Sequence, residues 1–433
     1  MSQARPTLFR GVTVFDGRSA QLIGPLDLRV EGPLITAVGE PGRQLDAAEG
    51  TRVIDGAGRT LMPGLIDAHW HSMFAAVPLV EALTADASYV EHLAGREARQ
   101  TLLRGFTTVR DAGGPSFGLK RAIDAGVLPG PRIFPSGAFI TQSGGHGDFR
   151  RRHDVPRGRL GHHDHAELVL ASAIADGVPE VLRAGREQLM LGASQLKLMA
   201  GGGVASPYDP LDVTQYTEAE LRAAVDVAQD WGTYVMVHAY TPRAVSRAIR
   251  AGVKSIEHGH LLDEATLESM AAGDVWLCLQ PFLDDEDASP VPPGSRGKFL
   301  DMTQGTDTAY ALAKKHGVHI AWGSDVLFDP RLGARQGAIL AKLTRWFTPA
   351  EVLRMATSAN AALLGLSGPR NPYPGALGVV EVGALADLLL VNADPIADLS
   401  WLSTPEESLA LIMKDGVVVE DCTSTPASAR YQR

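Results

Sequence analysis

Short apolar runs bounded by glycine open and close the chain. Residues 8–15, 27–30, 34–38 and 52–55 read as strands, with Gly17, Gly32, Gly56 and Gly58 as turns. Residues 383–391 and 408–419 have the same texture. Two such segments at opposite ends of a chain can complete one domain, because termini often lie close together. Residues 1–60 and 370–433 could form one small β domain in this way, a pairing the sequence by itself does not prove. Between them, strand-like runs occur at 61–66, 107–109, 132–134, 195–199, 233–238, 255–258, 275–279 and 319–322. Amphipathic stretches at 218–231, 242–251, 307–316 and 349–364 separate several of them. Thr217, followed by Glu218 and Glu220, marks a helix start with acidic groups at its positive end. This alternation predicts an α/β fold, a distorted (β/α)₈ TIM barrel over residues 61–369. Chemistry in that fold sits at the C-terminal ends of the strands.

Polar residues stand at those ends. Pro63-Gly-Leu-Ile-Asp-Ala-His69-Trp-His71 closes the first barrel run. Residues two apart in a strand share a face, so His69 and His71 can grip one metal. Lys197 lies inside the apolar run Gln195-Leu-Lys-Leu-Met. A buried lysine needs a partner or a chemical change, and carbamylation by CO₂ would turn it into an anionic ligand able to bridge two cations. His238 ends Tyr234-Val-Met-Val-His, His258 ends Ser255-Ile-Glu-His, and Asp325 follows Ile320-Ala-Trp-Gly-Ser. Each alone could be a core polar group. Together they are hard to explain as packing.

Composition narrows the field. The 433 residues are 45% hydrophobic and 21% charged, with a net charge of −10, which is ordinary for a globular protein. An acidic chain without a dense Lys/Arg run is a poor candidate for nucleic acid or anionic lipid. Cys278 and Cys422 are too few for a disulfide framework. No stretch approaches the roughly 20 apolar residues of a membrane span. The first residues carry no apolar signal core, so a cytoplasmic location is expected.

The HxH pair after Pro-Gly-Leu-Ile-Asp, the strand lysine, two later histidines and the final aspartate resemble the amidohydrolase superfamily. Gly144-Gly-His146-Gly, Lys197-Leu-Met-Ala-Gly-Gly-Gly, His238-Ala-Tyr240 and Ile256-Glu-His-Gly259 are similar to its imidazolonepropionase-related group of Xaa-Pro dipeptidases and carboxypeptidase-like hydrolases. That group includes enzymes that cleave the amide bond of ochratoxin A. The resemblance implies two zinc ions: His69, His71 and Asp325 would hold the more buried one and His238 with His258 the other. Carboxylated Lys197 and a hydroxide would bridge them, with Asp325 moving the proton to the leaving amine. It also implies a small β-sandwich domain built from both chain ends, residues 1–60 and 370–433, a small-molecule amide or dipeptide substrate, and a homo-oligomer. A cyclic amidohydrolase or lactonase of the imidazolonepropionase type is the alternative. Thr241, three residues after His238 where a deaminase carries Glu, counts against deamination, as does Lys197. A scaffold that has lost its metal predicts an eroded ligand set, and this set is complete.

Around this core lie second-rank candidates. His146 could polarise the substrate carbonyl, and Tyr240 could donate to the tetrahedral oxygen or to a substrate carboxylate. Gly201-Gly-Gly203 is expected to be a flexible substrate-facing turn. Asp284-Asp-Glu-Asp287, the Arg150-Arg-Arg-His153 run, and His162, His163 and His165 are expected to be solvated loops. Trp70, Phe74, Phe139, Tyr208, Trp322 and Phe328 suit either a bulky apolar substrate portion or the core.

Overall fold

A computed structural model describes residues 5–154, 163–206 and 208–424. Both ends of the chain build one sheet. From the N-terminal end come β1 (Thr7–Val14), β2 (Ile23–Glu31), β3 (Leu34–Val38), β4 (Arg52–Asp55) and β5 (Thr60–Pro63). From the C-terminal end come β16 (Leu388–Val391), β17 (Leu409–Lys414) and β18 (Val417–Asp421). The order is β18-β17-β16-β5-β1-β2-β3, with β4 beside β1. Phe9, Leu28, Ile35, Leu61, Leu390 and Met413 share a single apolar core, so the sheet curls over on itself. Its far corners touch: a Cβ on Gly416, in the β17–β18 turn, would lie 1.8 Å from the Gly32 carbonyl of the β2–β3 turn.

The remaining strands form the barrel: β6 (Leu65–Trp70), β7 (Phe106–Asp111), β8 (Arg132–Phe134), β11 (Leu196–Met199), β12 (Val235–Ala239), β13 (Ser255–His258), β14 (Trp276–Leu279) and β15 (Ile320–Trp322). They pair in parallel as β6-β7-β8 and as β11-β12-β13-β14-β15. The short strands β9 (Phe139–Thr141) and β10 (Ser172–Ile174) extend the second set beyond β11. These two are not among the strands expected from the sequence.

Side chains close the barrel where strand pairing does not. The Gln195 amide donates to Phe134 O at 2.9 Å and Asp111 O at 3.3 Å, bridging β8 to β11. Asn360 donates to Ile66 O at 2.7 Å and Trp322 O at 2.8 Å, and accepts from Trp322 N at 3.0 Å, tying β15 to β6. Gly323 permits this approach, since a Cβ there would lie 2.2 Å from that of His69.

Two expectations need correction. The apolar run 61–66 is two strands, not one. It breaks at Gly64, whose Cβ would collide with Thr107 Oγ1 at 2.1 Å, so β5 stays with the terminal sheet and β6 enters the barrel. The stretch 349–364 is helical but uneven: α-helix over Pro349–Arg354, a π turn over Met355–Ala359, then α-helix over Asn360–Gly365. The extra residue in the turn lets Asn360 reach the strand carbonyls. At Thr217 the expected start is a full capping box: Glu220 N donates to Thr217 Oγ1 at 3.4 Å and Thr217 N to Glu220 Oε2 at 2.8 Å, an arrangement worth about 1 kcal/mol.

Candidate active site

His69 is the fifth residue of β6 and His71 follows the strand. His238 is fourth in β12, His258 is last in β13, and Lys197 is second in β11. Asp325 lies three residues beyond β15 and donates its N–H to His69 O at 2.8 Å. All are buried except Asp325, whose side chain keeps 13% of its surface. Ligating atoms of His69, His258 and Asp325 all lie within 4.8 Å of one another.

Hydrogen bonding fixes what each imidazole offers. His71 Nδ1 faces Gly113 O at 3.0 Å, and a carbonyl only accepts, so that nitrogen carries the proton. His69 Nδ1 donates to Glu257 Oε2 at 2.7 Å. The Gln280 amide nitrogen donates to Cys278 O, turning its Oε1 toward His258 Nδ1 at 2.7 Å. His238 Nε2 donates to Gly202 O at 3.0 Å. Each ring therefore has one nitrogen held by the protein, which leaves the other for a ligand. The His69 and His71 Nε2 atoms both converge on Asp325 Oδ1 at 3.2 Å. These three ligand atoms converge on one point, and a cation bound there would take the place of any proton they share. The donor set fits a metal of the zinc type.

Charges in this pocket are strongly coupled. Burial acts to raise the Asp325 carboxyl, but His69, His71 and His258 hold it well below the ordinary carboxylate range. Burial lowers the Lys197 ammonium to about 8, against the pull of Glu257 and Asp325. That leaves a neutral-amine fraction near neutral pH, the form that reacts with CO₂.

His146 stacks on His238 with centroids 4.1 Å apart. Its Nδ1 meets Ser206 Oγ at 2.7 Å, with Asp209 Oδ2 at 3.8 Å, and burial lowers its pKa to about 4. Tyr240 packs against His238 at 5.0 Å and His258 at 5.2 Å, and burial pushes its phenol well above the usual value. Phe139 lies 5.5 Å from His71 and forms an aromatic wall with Phe74, Phe149 and Phe328. Gly113 and Gly114, both at positive φ, clear the space these rings fill.

The reading of the glycine turn changes. Gly201 to Gly203 are buried and close-packed rather than flexible: a Cβ on Gly202 would meet Pro210 O at 1.8 Å, and one on Gly203 the His146 ring at 1.9 Å. Residues Asp284 to Asp287 form an ion-pair lattice with Arg296, Lys342 and Arg335. Arg150 is paired with Asp148, and Arg152 lies 5.0 Å from the exposed Tyr208 ring. His163 and His165 are exposed, and His162 lies outside the described residues. Trp70 and Trp322 belong to the core.

Sequence reasoning missed the partners of the histidines. Gly113 O and Gly202 O carry no residue signature at all. Glu257 and Arg110 did carry one, being ionisable residues inside apolar strands, as Lys197 is.

The sequence profile of the amidohydrolase family matches residues 60–419. An ochratoxinase of Aspergillus niger is 30% identical over 367 residues, covering 80% of this chain and 73% of that protein. An imidazolonepropionase of Deinococcus radiodurans is 26% identical over 414 residues, 93% of each chain. Among solved structures, a prolidase complexed with N-methylphosphonate-L-proline is 34% identical, with a TM-score of 0.88 over 96% of this chain and 100% of the other. The chain belongs to the amidohydrolase family and is a hydrolase acting on amide bonds.

Proposed function

We propose that the protein is a zinc-dependent hydrolase that cleaves N-acyl amino acids or dipeptides, releasing the free amino acid. The carrying observation is that four imidazoles each have one ring nitrogen held by a group outside the proposed ligand set, which leaves the other for a metal. His69, His71 and Asp325 would hold one zinc and His238 with His258 a second, with Lys197, carboxylated by CO₂, between them. Zinc supplies Lewis-acid polarisation of the scissile carbonyl and makes water a better nucleophile near neutral pH.

The chain's own groups account for the proton and the oxyanion. Asp325, ionised and partly open, takes a proton from the attacking water and passes it to the leaving nitrogen. His146 has Nδ1 engaged by Ser206, which leaves Nε2 for the substrate carbonyl oxygen. Tyr240 stays protonated and is a second donor to the same oxygen. Phe74, Phe139, Phe149 and Phe328 offer an apolar wall beside His71, suited to an aromatic or bulky acyl portion. The named relatives, an ochratoxinase and a prolidase, support a substrate with an amide-linked amino acid.

A mass-spectrometric screen of the zinc-loaded protein tests this reading. The panel holds Xaa-Pro and other dipeptides, N-aroyl amino acids including ochratoxin A, and cyclic amides and lactones. Release of a free amino acid from a linear amide is expected. Turnover confined to cyclic substrates would overturn the substrate class in favour of the imidazolonepropionase-type alternative.

A further inference from the structure

The four histidines are not held alike. His71, His238 and His258 each donate to a neutral oxygen, on Gly113, Gly202 and Gln280. His69 alone donates to a carboxylate, Glu257 Oε2, at 2.7 Å. Glu257 is fully buried, and so is its counter-charge Arg110, whose guanidinium reaches the same oxygen at 2.7 Å. Ser255 Oγ donates to the other carboxylate oxygen at 2.5 Å. Arg110 is in turn fixed by Ala68 O at 2.5 Å, Tyr234 Oη at 3.2 Å and Ser255 Oγ at 3.3 Å. A buried carboxylate bound on both oxygens by donors has no freedom to swing away from His69. Arginine has donors only, so the shared oxygen must remain an acceptor toward the imidazole.

We infer that the buried Arg110–Glu257 pair is a positioning device for His69: it fixes the proton on Nδ1 and sets the His69 side of the centre apart as the stronger metal position. A carboxylate behind an imidazole raises its basicity, whereas an amide or peptide carbonyl does so less. The metal position that contains His69 is therefore filled first. Neither residue belongs to the ligand set proposed above. This inference rests on the zinc centre proposed above.

Stepwise zinc titration of wild type and Glu257→Gln, by competition with a chromophoric chelator, tests the ranking. Glutamine keeps the volume and an oxygen for His69 but removes the charge. The first zinc is expected to bind about 10–100-fold more weakly in the variant, while the second changes less than the first. An unchanged first step in a Glu257→Gln protein with native circular dichroism would overturn the inference. A second measurement does not depend on that variant folding: the ring ¹⁵N shifts of His69 in the zinc-free wild type, assigned by their loss in His69→Asn. A protonated Nδ1 is expected, and a bare Nδ1 would also overturn the assignment. Should the wild type take up no zinc at all, the zinc reading falls, and the His69 shifts still decide the role of Glu257.

Discussion

Gly203 lies so close under His146 that any side chain there must displace the ring, which rests 4.1 Å from His238. Gly203→Ala is expected to lower kcat by about 10–10²-fold through misplacement of His146, with zinc content unchanged. Steady-state kinetics beside elemental analysis checks this, and a wild-type kcat would remove His146 from catalysis. Asp325→Asn should keep the fold and lose about 10²–10⁴ in kcat, the usual worth of a positioned general base. An unchanged rate would sink the proton transfer assigned to it. The candidate ligands were legible because His, Lys and Asp stand at the ends of apolar runs, where packing alone does not account for them. Their hydrogen-bond partners were not, since a peptide carbonyl looks the same at every position of a sequence.

At the scale of elements, three non-glycine residues at the barrel mouth adopt left-handed backbone: His258 at φ 81°, Asp325 at φ 52° and Phe328 at φ 60°. Such positions cost of order 1 kcal/mol each and persist where surrounding contacts hold them. Here Asp325 N is held by His69 O and Phe328 N by Phe74 O, both at 2.8 Å. The strands were readable from their apolar runs, but the sharp departure after β15 was not, because it depends on contacts with β6 and the segment beyond it. The acidic segment Asp284–Asp287 shows the same dependence on distant partners. Although burial opposes it, Arg335 and Lys342 hold the Asp287 carboxyl below its ordinary value. A folded pKa below the unfolded value of about 3.9 means stabilisation present at neutral pH and lost as pH falls through the folded value. Asp287→Asn should therefore lower Tm at pH 7, at a cost of about 1 kcal/mol because both cations are partly exposed. The difference from wild type should vanish in strong acid. Calorimetry at pH 7 and pH 3 checks it, and an equal deficit at both pH values would contradict the ion-pair account.

Across the whole molecule, the chain ends meet in one sheet because β5, just before the barrel, pairs with β16, just after it. The apolar texture of both ends was visible in the sequence. Their registration was not, nor was the clamp that fastens sheet to barrel. Arg132 at the start of β8 binds both oxygens of Asp387, at 2.8 and 3.3 Å, and also reaches Asp415 in the β17–β18 turn. Arg132→Met would leave Asp387 buried without its cation, a loss of about 3–5 kcal/mol, read as a lower Tm. A wild-type Tm would show that the sheet and barrel stay together without it.

The centre as a whole is tested most directly by metal removal. Amino acid release from the best linear amide substrate is measured on zinc-loaded protein, on protein stripped by a chelator, and during stepwise return of zinc. Activity is expected to vanish on stripping and to return in full at two equivalents, with no recovery in Lys197→Ala. Full activity in the stripped protein, or full activity in Lys197→Ala, would contradict the proposed two-metal centre.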